Sequence, residues 1–233
     1  MGFQETFNAR VVPAIERSFG VDAEFLRGSK LFELTLPYGR RESSLDRKAA
    51  LGDADVTVRT RDFLIQVSQI TDDGEQCYPQ TSDQISWVDS ASGQQSWTVF
   101  PLVSGRCYRP YDNTETRIVV YTVATEDLKP LVVTLANGRE PFTVPAIPAT
   151  IRAAEDYTDV RSETRVLTTT AYVARSDLAD VDTPPPVAKF DFQGLAGWAI
   201  DMNRTEWGQG LVKIGLMRQT LVREWQARRN ATV

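Results

Sequence analysis

Apolar and polar positions alternate with the two-residue period of β-strands over most of this chain, and a helical period shows only near its start. Phe3, Phe7, Val11 and Ile15 recur at four-residue steps, one face of an amphipathic helix over residues 2–18. Pro13 interrupts that face, either as a kink or as the first-turn residue of a second short helix, and Gly20 can supply the left-handed cap. From Val21 the pattern is β. Phe25-Leu26 and Lys30 to Leu36 read as two strands joined at Arg27-Gly28-Ser29 and stopped by Pro37-Tyr38-Gly39. Further strands are predicted at 56–70, 84–89, 95–102, 106–111 and 116–125, with Ser90-Ala91-Ser92-Gly93 as a hairpin turn. Trp87 and Trp97 flank that turn and are placed to pair across it. Leu131–Leu135 and Phe142–Val144 form a hairpin over Asn137-Gly138, a strong short-range turn signal. Arg218 to Arg229 reads equally as a frayed helix or a continued strand.

One stretch recurs. Val58 to Val67, the acidic turn Asp72-Asp73-Gly74, the segment Tyr78 to Ile85 and the closing strand Arg117 to Val123 have counterparts about a hundred residues later. Those are Arg165 to Val173, Pro184-Pro185-Pro186, and Gly210 to Leu216. The expected fold is mainly β: two tandem small β-barrel or β-sandwich domains with an N-terminal amphipathic helix. The expected division is a helix over 1–20, a first β domain over 21–126, and a second over 127–233, with the boundary at Glu126-Asp127-Leu128-Lys129-Pro130. Residues 39–55 are a polar connection longer than compact domains usually carry, and such loops tend to be functional or disordered. Arg40, Arg41, Arg47 and Lys48 make it a candidate partner-contacting arm, and the polar stretch 152–159 mirrors it. Thr183-Pro184-Pro185-Pro186 is a stiff polyproline connector.

Composition narrows the function classes. At 42% hydrophobic residues over 233 positions the chain can build real cores, and no apolar run approaches the roughly 20 residues that span a bilayer. The start, Met1-Gly2-Phe3-Gln4-Glu5, has neither a basic segment nor an apolar core, so the expectation is a protein that works where it is made. The net charge is −5, yet residues 210–233 hold five basic residues and one acidic. An acidic body argues against non-specific duplex binding and suits a surface that DNA slides past. Arg223, Arg228 and Arg229 in the basic tail are candidate contacts. Cys77 and Cys107 are expected as free, partly buried thiols.

Catalytic chemistry is hard to assemble from these residues. With no histidine, Ser-His and Cys-His nucleophiles and His-ligated metals are excluded. No phosphate-binding glycine loop or dinucleotide fingerprint occurs. Asp53/Asp55, Asp72/Asp73, Glu155/Asp156 and Asp180/Asp182 are adjacent carboxylates of the kind that form solvated turns, and none specifies the separation glycoside hydrolysis needs. Calcium at Asp180-Val181-Asp182 would lack ligands. The expectation is a non-enzyme with no cofactor and no tightly bound metal.

The order of helix, polar arm, strand Phe63-Leu64-Ile65-Gln66-Val67, turn Tyr78-Pro79-Gln80-Thr81-Ser82-Asp83-Gln84-Ile85 and closing strand Ile118 to Val123 resembles the tailed-phage head-tail connector, or head-closure, family. These are small β-barrels like the lambda tail-attachment protein. The resemblance covers about residues 2–125; the remainder exceeds the usual single domain and implies a two-barrel version. The resemblance implies a structural virion protein, made in the bacterial host cytoplasm and placed at the head–tail interface. It would self-associate into a ring between the portal or adaptor ring and the tail proteins, line the passage for DNA without sequence-specific binding, and need no membrane. Phe3, Phe7, Val11 and Ile15 would then dock on a neighbouring ring, or cap the chain's own barrel. Other readings are a tail terminator or other minor virion protein, a carbohydrate-binding or adhesin module with Trp87, Trp97, Tyr108 and Tyr111 as an aromatic platform, and a carboxylate hydrolase.

Overall fold

The structure, a computed structural model, describes residues 20–37, 56, 58–89, 93–102, 104–111, 113–136, 138–153, 164–178 and 187–221. The chain is mainly β and divides into two compact units, residues 1–51 with 58–127, and residues 52–57 with 128–233.

In the first unit β1 (Gly20–Arg27) and β2 (Lys30–Pro37) form a hairpin in register from Gly20↔Pro37 to Arg27↔Lys30. Gly28 sits at φ 57 in its two-residue turn, where a side chain would be strained. Ala23 and Phe25 face inward while Asp22 and Glu24 face water, the alternation of a half-buried strand. Next come β3 (Thr60–Gln66), the short β4 (Thr71–Asp72) and β5 (Glu75–Gln76), β6 (Gln84–Asp89), β7 (Gly93–Val99), β8 (Tyr108–Pro110) and β9 (Arg117–Ala124). The sheet runs β2-β1-β6-β7-β9-β3 and curls around Phe25, Ile65, Ile85, Trp97, Val99, Ile118 and Val120. Its edge strands β2 and β3 come close but share no hydrogen-bonded ladder, so this unit is a half-barrel with an open seam.

The second unit contains β10 (Lys129–Leu135), β11 (Phe142–Pro148), β12 (Arg152–Ala153), β13 (Thr164–Ala174), β14 (Val187–Phe192), β15 (Leu195–Ile200), β16 (Glu206–Trp207) and β17 (Leu211–Leu221). β13 and β17 pair along eleven positions, Thr164↔Leu221 to Ala174↔Leu211. β13 also pairs with β11 at Ala146↔Val173 to Pro148↔Ala171, which closes a six-stranded ring β11-β10-β14-β15-β17-β13. Trp198, Phe190, Phe192, Leu131 and Leu216 fill it.

The two strand paths are the same. β2-β1-β6-β7-β9-β3 maps onto β11-β10-β14-β15-β17-β13 in order and direction, and each closing strand has one edge shared by two short strands in succession. β8 and β7 pair with Ile118–Val120 and Thr122–Ala124 of β9; β16 and β15 pair with Val212–Lys213 and Leu216–Met217 of β17. The strands matched by sequence pattern, β3 with β13 and β9 with β17, are structural equivalents, and the architecture is barrel rather than sandwich. The N-terminal helix lies outside the described residues.

Several boundaries differ from expectation. The strand expected over 56–70 is β3 alone, because Val67–Gln69 tightens into a 3₁₀ turn. Val56 makes an isolated bridge to Ala149, in the second unit. Arg218 to Leu221 continues β17 as strand, held by β13 through Thr164 to Leu167. The strands expected at 95–102 and 106–111 shorten to β7 and β8, and Tyr111 follows β8 with its amide donating to the Arg117 carbonyl.

Met202–Arg204 form a 3₁₀ turn pressed onto Gly215 of β17. The Gly215 amide donates to Thr205 Oγ1 at 3.0 Å, and the Asp201 amide donates to the Gly215 carbonyl at 2.8 Å. A β-carbon on residue 215 would sit 2.6 Å from Arg204 Cβ and 2.9 Å from the Asp201 carbonyl oxygen. Gly215→Ala is therefore expected to lower stability by about 1–3 kcal/mol, the usual range for overpacking. An unchanged urea midpoint would show that the turn lifts off at no cost.

Candidate functional site

The side chains singled out in the sequence for partner contact, Phe3, Phe7, Val11, Ile15, Arg40, Arg41, Arg47, Lys48, Arg223, Arg228 and Arg229, lie outside the described residues. The turn from Tyr78 to Ile85, which carried the family resemblance, is well placed and has a structural task. Asp83 is buried and accepts from Arg27 Nη2 at 2.9 Å and Nε at 3.1 Å, and from the Gln80 amide at 2.8 Å. Arg27 Nη2 also donates to the Tyr78 carbonyl. The Val99 amide donates to the Asp83 carbonyl at 2.7 Å, and the Ser82 amide donates to the Val99 carbonyl at 3.1 Å, so the turn is sewn onto the end of β7. Tyr78 stacks on Tyr108 with centroids 5.1 Å apart. A buried carboxylate is tolerated because it is paired with a guanidinium and accepts from a backbone amide as well. On the same unit Asp127 first, then Glu126, hold the Arg59 guanidinium above its ordinary pKa, and Lys30 is paired with Asp72. Cys77 and Cys107 are thiols and not joined in a disulfide, and Cys107 Sγ lies 3.6 Å from Thr81 Oγ1.

A different cluster has the character of a site. Residues 61, 63 and 65 of β3 share one face by strand alternation, and Phe63 and Ile65 on that face belong to the core. Arg61 stands one step further out on the same face. Its guanidinium carbon lies 4.9 Å from the Trp87 ring centroid, 5.5 Å from Trp97 and 6.0 Å from Phe63, within cation–π range of all three. Trp87 and Trp97 are stacked 9° from parallel with centroids 6.2 Å apart, and Phe63 meets both edge-on. They are diagonal neighbours, since Trp87 faces Gln95 and Trp97 faces Ile85 across the β6–β7 hairpin. Trp97 is 3% exposed, and its Nε1 has no hydrogen-bond acceptor; Arg61 Nε is also buried without one. Arg61 forms no ion pair among the described residues. What this arrangement can do chemically is accept an oxyanion. The signal in the sequence was the alternation Arg61-Phe63-Ile65-Val67, a cation in register with an apolar face, which the strand reading passed over.

Trp87, Trp97, Tyr108 and Tyr111 do not form one exposed platform. Trp97 is buried, Tyr108 is covered by Tyr78, and only Tyr111 among the four is largely exposed. Among the described residues, no group of three Cys, Asp or Glu side chains is placed to hold a metal ion.

In the second unit, Arg175 lies 5.2 Å over the Trp207 ring, beside the 3₁₀ turn Arg175–Leu178 that follows β13. Asp177 in that turn has one carboxylate oxygen buried without a donor, while the other accepts from Ser176 at 3.4 Å. Burial raises its pKa against the opposing effect of the Ser176 hydroxyl. A carboxyl whose folded pKa is raised binds its proton more tightly than in the unfolded chain. Its contribution to stability therefore falls as pH rises from the ordinary carboxylate range through the folded pKa, and stays low above it. Asp177→Asn is expected to raise Tm at neutral pH and to converge with the parent in acid. Parallel Tm–pH curves for the two proteins would rule that out.

No family model matches the chain, and no curated protein matches it. Among solved structures the chain is similar to MrkH, described as a novel c-di-GMP dependence transcription regulatory factor. The identity is 9%, the match covers 95% of this chain and 86% of that one, and the TM-score is 0.24. At that score the likeness carries no weight for fold or for ligand.

Proposed function

We propose that this chain acts by binding and assembly rather than by turnover, as the head-tail connector subunit of a tailed-phage virion that its sequence resembles. The observation that carries the reading is the repeated strand path. Two β units of one design, each with its own core, are rigid walls from which long connections and termini can reach neighbours. The turn from Tyr78 to Ile85 supports the barrel part of the resemblance, because its Asp83–Arg27 contacts secure the wall of the first unit. The ring contacts and the passage for DNA are assigned to the N-terminal stripe, the 39–55 arm and the basic tail. Connection of heads to tails then consists of burying apolar and charged side chains between successive rings, with no bond made or broken.

Deleting residues 41–50 removes Arg41, Arg47 and Lys48 and none of the described core. The expected outcome is a variant with unchanged β circular dichroism that fails to enter particles, so that negative-stain microscopy of lysates shows separate heads and tails. Joined particles at parental yield from the folded variant would remove the arm from assembly. Normal particles in the complete absence of this chain would remove the connector reading itself.

A further inference from the structure

We propose that the outward face of the β1–β2 hairpin and the adjoining β6 is a docking surface for the C-terminal segment, residues 222–233, of a second copy of this chain. It rests on the connector reading for the meeting of copies, and it gives the basic tail a receiving surface.

Strand alternation fixes the face. Phe25, Leu34 and Ile85 point into the core, so Glu24 and Leu26 of β1, Leu31 and Glu33 of β2, and Val88 of β6 point outward, with Asp22 beside them. Among the described residues five large apolar side chains are exposed, and Leu26, Leu31 and Val88 are three of them. Leu26 and Leu31 are a cross-strand pair, and Val88 is 74% exposed. One exposed apolar side chain is ordinary; a group of them on one sheet face, rimmed by polar residues, has the character of an interaction surface. The polar part of the face is acidic. Glu24 and Glu33 stand directly opposite each other, an arrangement of like charges that costs stability. Glu24 accepts from Ser86 Oγ at 3.4 Å, and no Lys or Arg among the described residues pairs with Asp22, Glu24 or Glu33. The two cations at the end of the hairpin, Arg27 and Lys30, have the other parity and are held by Asp83 and Asp72.

The second unit shows that the fold does not require such a face. Trp97, which faces Ile85 on β6, corresponds by strand order and register to Trp198, which faces Phe190 on β14. On that register Asp22, Glu24 and Glu33 correspond to Pro130, Val132 and Thr143, all uncharged. Ser86 corresponds to Asp191, whose carboxylate is occupied by the Gly197 amide at 2.8 Å. The occupant follows from charge and apolar content. Residues 222–233 carry Arg223, Arg228 and Arg229 against Glu224, with Val222 and Trp225 among them. Arginines brought onto the Glu24–Glu33 pair replace a repulsion with attractions, and the tail's own apolar side chains can cover the exposed leucines and valine. A nucleic-acid backbone would be repelled by the same carboxylates.

The test is sedimentation velocity of the purified full chain at low and high salt. The parent is expected to self-associate at low salt and to dissociate as salt is raised, because exposed ion pairs are screened. Glu24→Arg with Glu33→Arg, and separately Arg228→Glu with Arg229→Glu, should each weaken self-association about tenfold or more, since each turns attractions into like-charge contacts. An equimolar mixture of the two variants should associate again, because each tail then meets a face of opposite charge. A parent that stays monomeric at low salt, or a mixture no more associated than either variant alone, would overturn the proposal. Glu24→Gln with Glu33→Gln removes the like-charge pair, so its Tm should hold or rise while self-association weakens roughly threefold or more. Unchanged association in that folded variant would also overturn the proposal, whether or not the charge reversals fold. Particles that need this chain although the pure protein does not self-associate would remove this contact and leave the connector reading. Self-association of a chain that particles do not need would do the reverse.

Discussion

The pairing of sheet edges is the constraint on which both units depend. A curled antiparallel sheet has two edge strands whose amide and carbonyl groups must find partners. In the second unit β13 pairs with β17 on one side and β11 on the other, the ring closes, and its interior is packed with Trp198, Phe190 and Phe192. In the first unit β3 pairs with β9 alone and lies beside β2 without a ladder. The same strand path thus has two endings, one sealed and one with a seam.

That difference is repeated in the polar groups. Where the ring is closed, the tryptophan at the matched position bonds a backbone carbonyl, and the residue matching Arg61 is the small Thr169. Where the seam is open, the corresponding tryptophan has no acceptor and its neighbour is an arginine laid over three rings. Duplication lets one copy hold the architecture while the other varies at an inward position, because each unit buries its own core.

Charge in the first unit is handled in two ways. Asp83 is buried, paired with Arg27 and bonded by the Gln80 amide, and it ties the turn from Tyr78 to β1 and β7. Such a network fixes geometry more than it adds net stability, since the desolvation of two charges offsets much of their attraction. Arg61 is the opposite case, a charge placed against apolar rings and left without a carboxylate. The first arrangement fixes the turn on the wall, and the second holds its cation on ring faces alone.

Much of the strand inventory was legible in the sequence, because strand alternation, the Gly28-Ser29 and Asn137-Gly138 turns and the hundred-residue recurrence are local or pairwise signals. The sequence by itself determined a mainly β chain in two similar units, and it marked the turn around Asp83 as distinctive. It could not say that Asp83 is distinctive for folding, because its partner Arg27 lies 56 positions away along the chain. Nor could it separate barrel from sandwich, since that choice rests on whether one sheet curls on itself or two sheets stack, and residue identity along a strand is the same in both. Only the tertiary structure decided that Val56 pairs with Ala149, that β17 continues to Leu221, and that Arg61, Trp87 and Trp97 converge. Those are long-range pairings, and alternation within one strand records which face a residue occupies but not which residue it meets there.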